Sequence, residues 1–259
     1  GFAQLRACRR LCTANTGSQE AHSSATDGGQ QSDHSEEDLV RHKILETALN
    51  YVPELGWSQK ALVAGAEAQG FPGVAHGLFP NGAADLITHF YLSCNGRLTD
   101  HLVEQKAKLA EDGQKLRITP FVRDAVETRL RMNVPYMDSW AQAMAIMALP
   151  PNAPQGWKNL SDLVDEIWFQ TGDNSVDMNW YTKRLSLGVI YKSSEVHMLQ
   201  DKSPDFEDTW EFVDRRLEGV ALLGKTLRQA QGGVGKLGDL VEHGFTVGKN
   251  VLGVTQRFR

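Results

Sequence analysis

Between Glu36 and Arg259 the apolar residues recur at every third or fourth position and almost nowhere at every second, as in Ile44, Leu45, Ala48, Leu49 and Val52. A helix brings positions three and four apart onto one face, whereas a half-buried strand needs alternation, so this spacing confines the chain to helices packed on helices. Pro and Gly clusters cut the pattern into about ten of them, expected near 37–52, 58–69, 74–79, 83–110, 120–133, 138–148, 157–170, 174–199, 204–230 and 234–256. Without a convincing strand there is no strand-to-glycine-loop phosphate cradle, and nucleotide chemistry is not expected. No run approaches ~18 uninterrupted apolar residues, so no helix is expected to span a membrane.

The amino-terminal stretch breaks the helical rhythm. "GFAQLRACRRLCTANTGSQEAHSS" carries Arg6, Arg9 and Arg10, is rich in Ser, Thr and Ala, and has no acid before Glu20. That is the composition of a mitochondrial transit peptide, with a disordered arm of no address as the alternative. "TDGGQQSDHSEED" then reads as a polar linker. The expected organisation is a disordered segment over 1–36, a three-helix unit over 37–93, a larger helical domain over 94–230 and a separate amphipathic helix over 231–259. Three cysteines, Cys8, Cys12 and Cys94, are too few and wrongly spaced for a disulfide framework or a zinc site.

"LGWSQKALVAGAEAQGFPGVAHGLFPNGAADLI", residues 55–87, has the rhythm of a DNA-reading helix-turn-helix, with Ser58 as an N-cap and Gly70, Pro72 and Gly73 at the turn. Yet from Ile44 to Phe90 a single lysine, Lys60, faces four acids, Glu46, Glu54, Glu67 and Asp85. A recognition helix needs phosphate-neutralising Lys or Arg around it and base-reading side chains on it. The candidate "GVAHGL" offers only His76, and the whole chain carries a formal charge of −5. The unit is therefore expected to keep its packing and to bind no nucleic acid.

Ionisable residues do not assemble a catalytic or metal site at this level. There is no H-E-x-x-H and no pair of E-x-x-H motifs among the eight histidines. Asp85 and His89, four apart, read as a surface hydrogen bond on one helix face. Cys94 and His101 lie two turns apart, too far for direct activation.

Three apolar features remain. "YMDSWAQAMAIMALPP" concentrates Met137, Trp140, Met144, Ile146, Met147 and Leu149 with no charge from Ser139 to Pro150, which suits either plain core or an adaptable apolar pocket. In "DNSVDMNWYTKRL", Asp177, Trp180, Tyr181 and Arg184 share one helix face, a composition equally suited to a protein-binding hot spot or to core with a stacked arginine. The last predicted helix gathers Leu237, Leu240, Val241, Phe245, Val251 and Leu252 within half its circumference. Residues 219–259 hold six bases against two acids, a cationic amphipathic end on an acidic body, which suits an anionic membrane surface. Packing of that helix onto its own protein is the alternative, since five glycines at about 1 kcal/mol each leave it marginal alone in water.

A three-helix unit followed by a larger helical domain resembles the TetR-family architecture. More closely, "ALNYVPELGWSQKALVAGA", "GLFPNGAADLITHFY", "GDNSVDMNWYTKRL" and "MLQDKSPDFEDTWEFVDRR" resemble the mitochondrial lipid-binding accessory proteins of ubiquinone biosynthesis, over about residues 38–259. The resemblance implies an all-α, TetR-like bundle with a vestigial helix-turn-helix and no catalytic activity or cofactor. It implies a bound lipid, either an isoprenoid quinone intermediate or a phospholipid, and delivery of polyprenyl intermediates to a di-iron hydroxylase of the pathway. A mitochondrial matrix protein, peripheral on the inner membrane and homodimeric, is then expected. Lipid contacts fall to Trp140, Met144 and Met147. Partner contacts fall to Asp177, Trp180 and Tyr181, with Ile167 where a Met is more familiar in the family, and membrane contacts to Leu237, Leu240, Val241, Phe245, Val251 and Leu252. The rival reading is a TetR-type transcription regulator that binds a hydrophobic ligand.

Overall fold

The computed structural model describes residues 30–72, 77–172 and 178–231, and every regular element among them is helical. Two compact units divide the chain, Gly1–Val40 and Arg41–Arg259; the described part of the first is the start of a helix. That helix, α1 (Gln30–Ala48), begins inside the segment read as a linker. A 3-10 turn (Leu49–Tyr51) leads to α2 (Val52–Leu55), followed by α3 (Gln59–Ala68) and α4 (Ala83–Glu111). The chain continues through α5 (Ile118–Arg131), α6 (Met137–Ala148), α7 (Ala153–Gln170), α8 (Met178–Met198) and α9 (Glu207–Gln231). Helix α7 starts a turn earlier than the Pro-rich sequence suggests, because Pro154 sits in its first turn, where a missing N–H costs nothing. The first half of the predicted 74–79 helix and the whole amphipathic helix over 234–256 fall outside the described residues.

Local chemistry sets several joints. Ser58 caps α3 by accepting from the Ala61 N–H at 3.4 Å. Gly56, at φ 67°, leaves room for Gln142 of α6, whose amide accepts from the Trp57 N–H (3.0 Å) and donates to the Trp57 carbonyl (3.2 Å). A Cβ at Gly56 would lie 2.7 Å from the Gln142 Oε1, so glycine is what lets α6 clamp the turn before α3. Gly65 serves a different end: a Cβ there would meet Ala48 at 2.7 Å, so α3 crosses the end of α1 at backbone contact distance.

The start of α9 explains one of the motif segments. The Asp201 carboxylate accepts from the backbone N–H and hydroxyl of both Ser203 and Thr209, and the Ser203 hydroxyl accepts from the Asp208 N–H. The first turn of α9 is thereby capped from outside. Asp205 and Phe206 adopt φ 52° and 60°, a left-handed conformation costly for such side chains. Arg131 holds it in place with two 2.8 Å bonds to the Asp205 carboxylate, and the Trp210 indole donates to the Asp205 carbonyl at 2.7 Å.

Partial burial pushes the Asp201 carboxyl up, and its four hydrogen bonds outweigh that and hold it at about 2. A carboxyl depressed on folding contributes stability above its unfolded value, and that contribution is lost as pH falls from about 4 through about 2. Asp201→Asn is expected to cost about 1 kcal/mol at neutral pH. The deficit should shrink as pH falls through that window, measured by urea unfolding of wild type and variant at matched pH.

Helix α4 runs through the middle of the second unit, lying against α3, α5, α6 and α7, while α9 closes over α5 and α8. One core joins Leu98, Leu102, Phe121, Val126, Leu130, Leu163, Ile167, Leu187, Met198 and Val213 from these helices. A second, aromatic cluster joins Trp57, Phe90, Tyr91, Tyr136 and Trp140, with ring centroids 5.0 to 6.4 Å apart. Burial of each such ring contributes about 1.5–3 kcal/mol, enough to seat the small helices on α4 and α6.

Candidate functional site

A cleft of about 360 Å³ opens between α4, α6, α7 and α8. Its wall is Met144, Met147 and Ala148 from α6, Ala153, Gly156, Trp157 and Leu160 from α7, Tyr91 from α4 and Lys192 from α8. The uncharged methionine run of α6 thus lends two of its side chains to a surface, as an adaptable apolar pocket requires. Trp157 stands at the mouth with 70% of its surface exposed.

The polar end of the cleft is built from behind. Glu195, 1% exposed on α8, accepts from the Lys192 ammonium (2.7 Å), the Trp140 indole (3.0 Å) and the Tyr91 hydroxyl (3.4 Å). Nearby, Arg129 is fully buried, donating to Asn95 (3.2 Å) and Asn133 (2.9 Å) with its guanidinium over the Tyr91 ring at 5.2 Å. Burial works against the Arg129 charge, and the groups around it, Tyr191, Cys94, Tyr91 and Glu195, more than offset that. Burial first, and the Glu195 charge next, push the Tyr91 hydroxyl well above its usual range, so it remains a proton donor.

Trp140 departs from expectation. It is fully buried, held by Glu195 and packed among aromatic rings, and so backs the cleft without forming its wall. Ile167 is also corrected: at 1% exposure it belongs to the main core, because it shares the inward stripe of α7 with Leu163 and Val164, and it offers no surface to a partner. Tyr181, by contrast, is 67% exposed near the start of α8, with Leu185 on the same helix and Phe169 at the end of α7 also standing in solvent. Arg184 pairs with Asp165 of α7. Asp177, the Trp180 side chain and the candidate membrane residues Leu237, Leu240, Val241, Phe245, Val251 and Leu252 lie outside the described residues.

The two sequence-adjacent pairs resolve differently from their spacing. Asp85 accepts from the backbone and side chain of Asn81 (3.0 and 2.9 Å), while the His89 ring meets His42 edge-on at 4.8 Å. Cys94 is buried and accepts from Arg97, and His101 pairs with Asp124 at 3.0 Å. Among the described residues no group of three or more His, Cys, Asp or Glu could hold a metal ion, and no helix is long and apolar enough to cross a membrane.

Comparison with known proteins follows the same regions. The family model described as COQ9 matches residues 153–224, and that for the ubiquinone biosynthesis protein COQ9, N-terminal domain, matches residues 36–67. The chain is 41% identical over 233 residues to the mitochondrial ubiquinone biosynthesis protein COQ9 of Rattus norvegicus, covering 89% of this chain and 74% of that protein. It belongs to the COQ9 family. The Homo sapiens COQ9 protein is 40% identical over 89% of this chain and 73% of its own length, and the Schizosaccharomyces pombe coq9 protein 33% identical over 85% and 88%. The COQ9 models take in residues from α1 to α3 and from α7 to α9, with Lys192, Glu195 and the α9 capping loop inside the first match.

Proposed function

We propose that this COQ9-family chain is a non-catalytic lipid carrier of mitochondrial ubiquinone biosynthesis. It takes polyprenyl intermediates from the inner membrane, on which it sits peripherally from the matrix side, and presents them to the pathway's di-iron hydroxylase. The observation that supports this best is the cleft: an apolar, methionine-lined space between helices, with Tyr91 and Lys192 as the polar anchors among its described lining residues. The cationic helix expected over 231–259 is the membrane contact in this reading, and a homodimer its assembly.

The COQ9 names place the relatives in ubiquinone biosynthesis, and the charge of residues 44–90 gives DNA phosphates almost nothing to bind. Both favour the carrier over a transcription regulator.

The α7–α8 corner is the proposed docking surface for the hydroxylase. Tyr181 is an exposed aromatic on α8, and aromatic anchors carry a large share of binding energy at such surfaces. Tyr181→Ala is expected to weaken capture of the hydroxylase by about 2 kcal/mol in a pull-down titration and to leave the melting temperature unchanged. A lower melting temperature with unaltered capture would make Tyr181 a structural residue.

A further inference from the structure

Beside the indole of Trp157 at the mouth, two polar side chains among the described residues line the cleft, and both converge on one buried carboxylate. Tyr91 and Lys192 each hydrogen-bond Glu195, so they form a single polar end, with Met144, Met147 and Trp157 making the apolar remainder. An ammonium has three donors, and the bond to Glu195 occupies one of them. The same bond fixes Lys192 in place, since Glu195 is itself held by Trp140 from behind.

We propose that Lys192, oriented by Glu195, reads the ligand's head by donating a hydrogen bond to an uncharged ring oxygen, a quinone carbonyl or a phenol hydroxyl. This rests on the lipid reading of the cleft and adds the head-group chemistry that the cleft selects.

Three features favour such a head over a phosphate. Lys192 is the ionised group among the described wall residues and already spends one bond on Glu195, while the other cation near Glu195, Arg129, is fully buried behind the wall and spends its bonds on Asn95 and Asn133, so a phosphate would meet a single, partly engaged ammonium. Trp157, largely exposed, offers a flat aromatic surface to a ring. The volume, about 360 Å³, lies at the small end for ligand sites and takes a ring with the first part of its chain. A long isoprenoid chain then leaves past Trp157, whose ring is exposed at the mouth.

The experiment uses the full chain and three soluble probes in a calorimetric titration: a benzoquinone with a two-isoprene chain, a benzene with the same chain and no oxygens, and a single-chain lysophosphatidic acid. Wild type is expected to bind the quinone on the order of tenfold more tightly than the benzene, the worth of one hydrogen bond from a charged donor. Lys192→Met should abolish that preference while leaving benzene binding intact. Because that change alone strands a buried carboxylate, Lys192→Met with Glu195→Gln serves as the partner variant, removing both charges while the introduced amide oxygen can still accept from Trp140.

Retention of the quinone preference in the double variant overturns the proposal. So does a loss confined to lysophosphatidic acid, which would make the head a phosphate. Equal wild-type affinity for quinone and benzene overturns the head-group assignment and leaves the lipid cleft standing. Wild type that binds no probe overturns both.

Discussion

Arg129→Met is expected to lower the unfolding free energy by roughly 3–5 kcal/mol, the cost of removing one charge from a buried polar group whose partners stay behind. Arg129 has no exposed surface, and its loss strands the acceptor oxygens of Asn95 and Asn133 and removes the cation from a site that also buries Glu195. Asn133 is fully buried, so neither the methionine nor water can replace its bond, and an unpaired buried acceptor carries its full desolvation penalty. Arg131, two residues on, supplies the contrast: its side chain is 39% exposed and its partners, Glu127 and Asp205, reach solvent. Arg131→Met should cost less, roughly 1–2 kcal/mol, since it loses a bidentate bond to Asp205 whose carboxylate regains water. Urea unfolding of both variants checks the pair, and equal losses would contradict the burial argument. For a folded unit of this size the Arg129 change corresponds to a fall in melting temperature of about 10 °C.

Gly156→Leu is expected to move stability and ligand binding in opposite directions. A Cβ at Gly156 would sit 3.5 Å from the Met147 carbonyl and 3.7 Å from its terminal methyl, ordinary contact distances that require no backbone shift. Replacing a glycine inside α7 also removes the entropic cost of fixing it, worth up to about 1 kcal/mol. The rest of the leucine has only the cleft to enter, since Gly156 is part of its wall. The variant should therefore melt at or slightly above the wild-type temperature and retain less than about a tenth of the bound lipid, a loss of about 1.4 kcal/mol or more. A variant that unfolds, or one that keeps its lipid, would show that the leucine goes elsewhere.

The helical class and most helix positions could be read from the sequence because they depend on local period and on breakers. Ser58 caps its helix as its position before an apolar run suggests, and Tyr181 is exposed on a face whose composition admitted that outcome. What stayed hidden depends on which helices meet. The methionine run predicts an apolar face on α6 without saying that Met144 and Met147 look into a cleft while Trp140 turns toward Glu195. Family resemblance alone puts Ile167 on a partner surface, and only the packing of α7 shows it facing inward.

The polar end of the cleft did leave a trace. Glu195 follows Leu187 and Tyr191 at four-residue steps on an otherwise buried stripe of α8, and Arg129 falls among Val122, Ala125, Val126 and Leu130 on that of α5. A charge on an apolar stripe must find a partner or a function. Sequence spacing cannot name that partner, because Glu195 and Trp140 are 55 residues apart.

The central claim is that the cleft holds an isoprenoid lipid, and extraction of the purified full chain with organic solvent followed by mass spectrometry tests it most directly. The account predicts a ring-headed polyprenyl lipid at a substantial fraction of one per chain in wild type, depleted in Gly156→Leu. Extracts that contain no such lipid, or that contain as much from Gly156→Leu as from wild type, would contradict it.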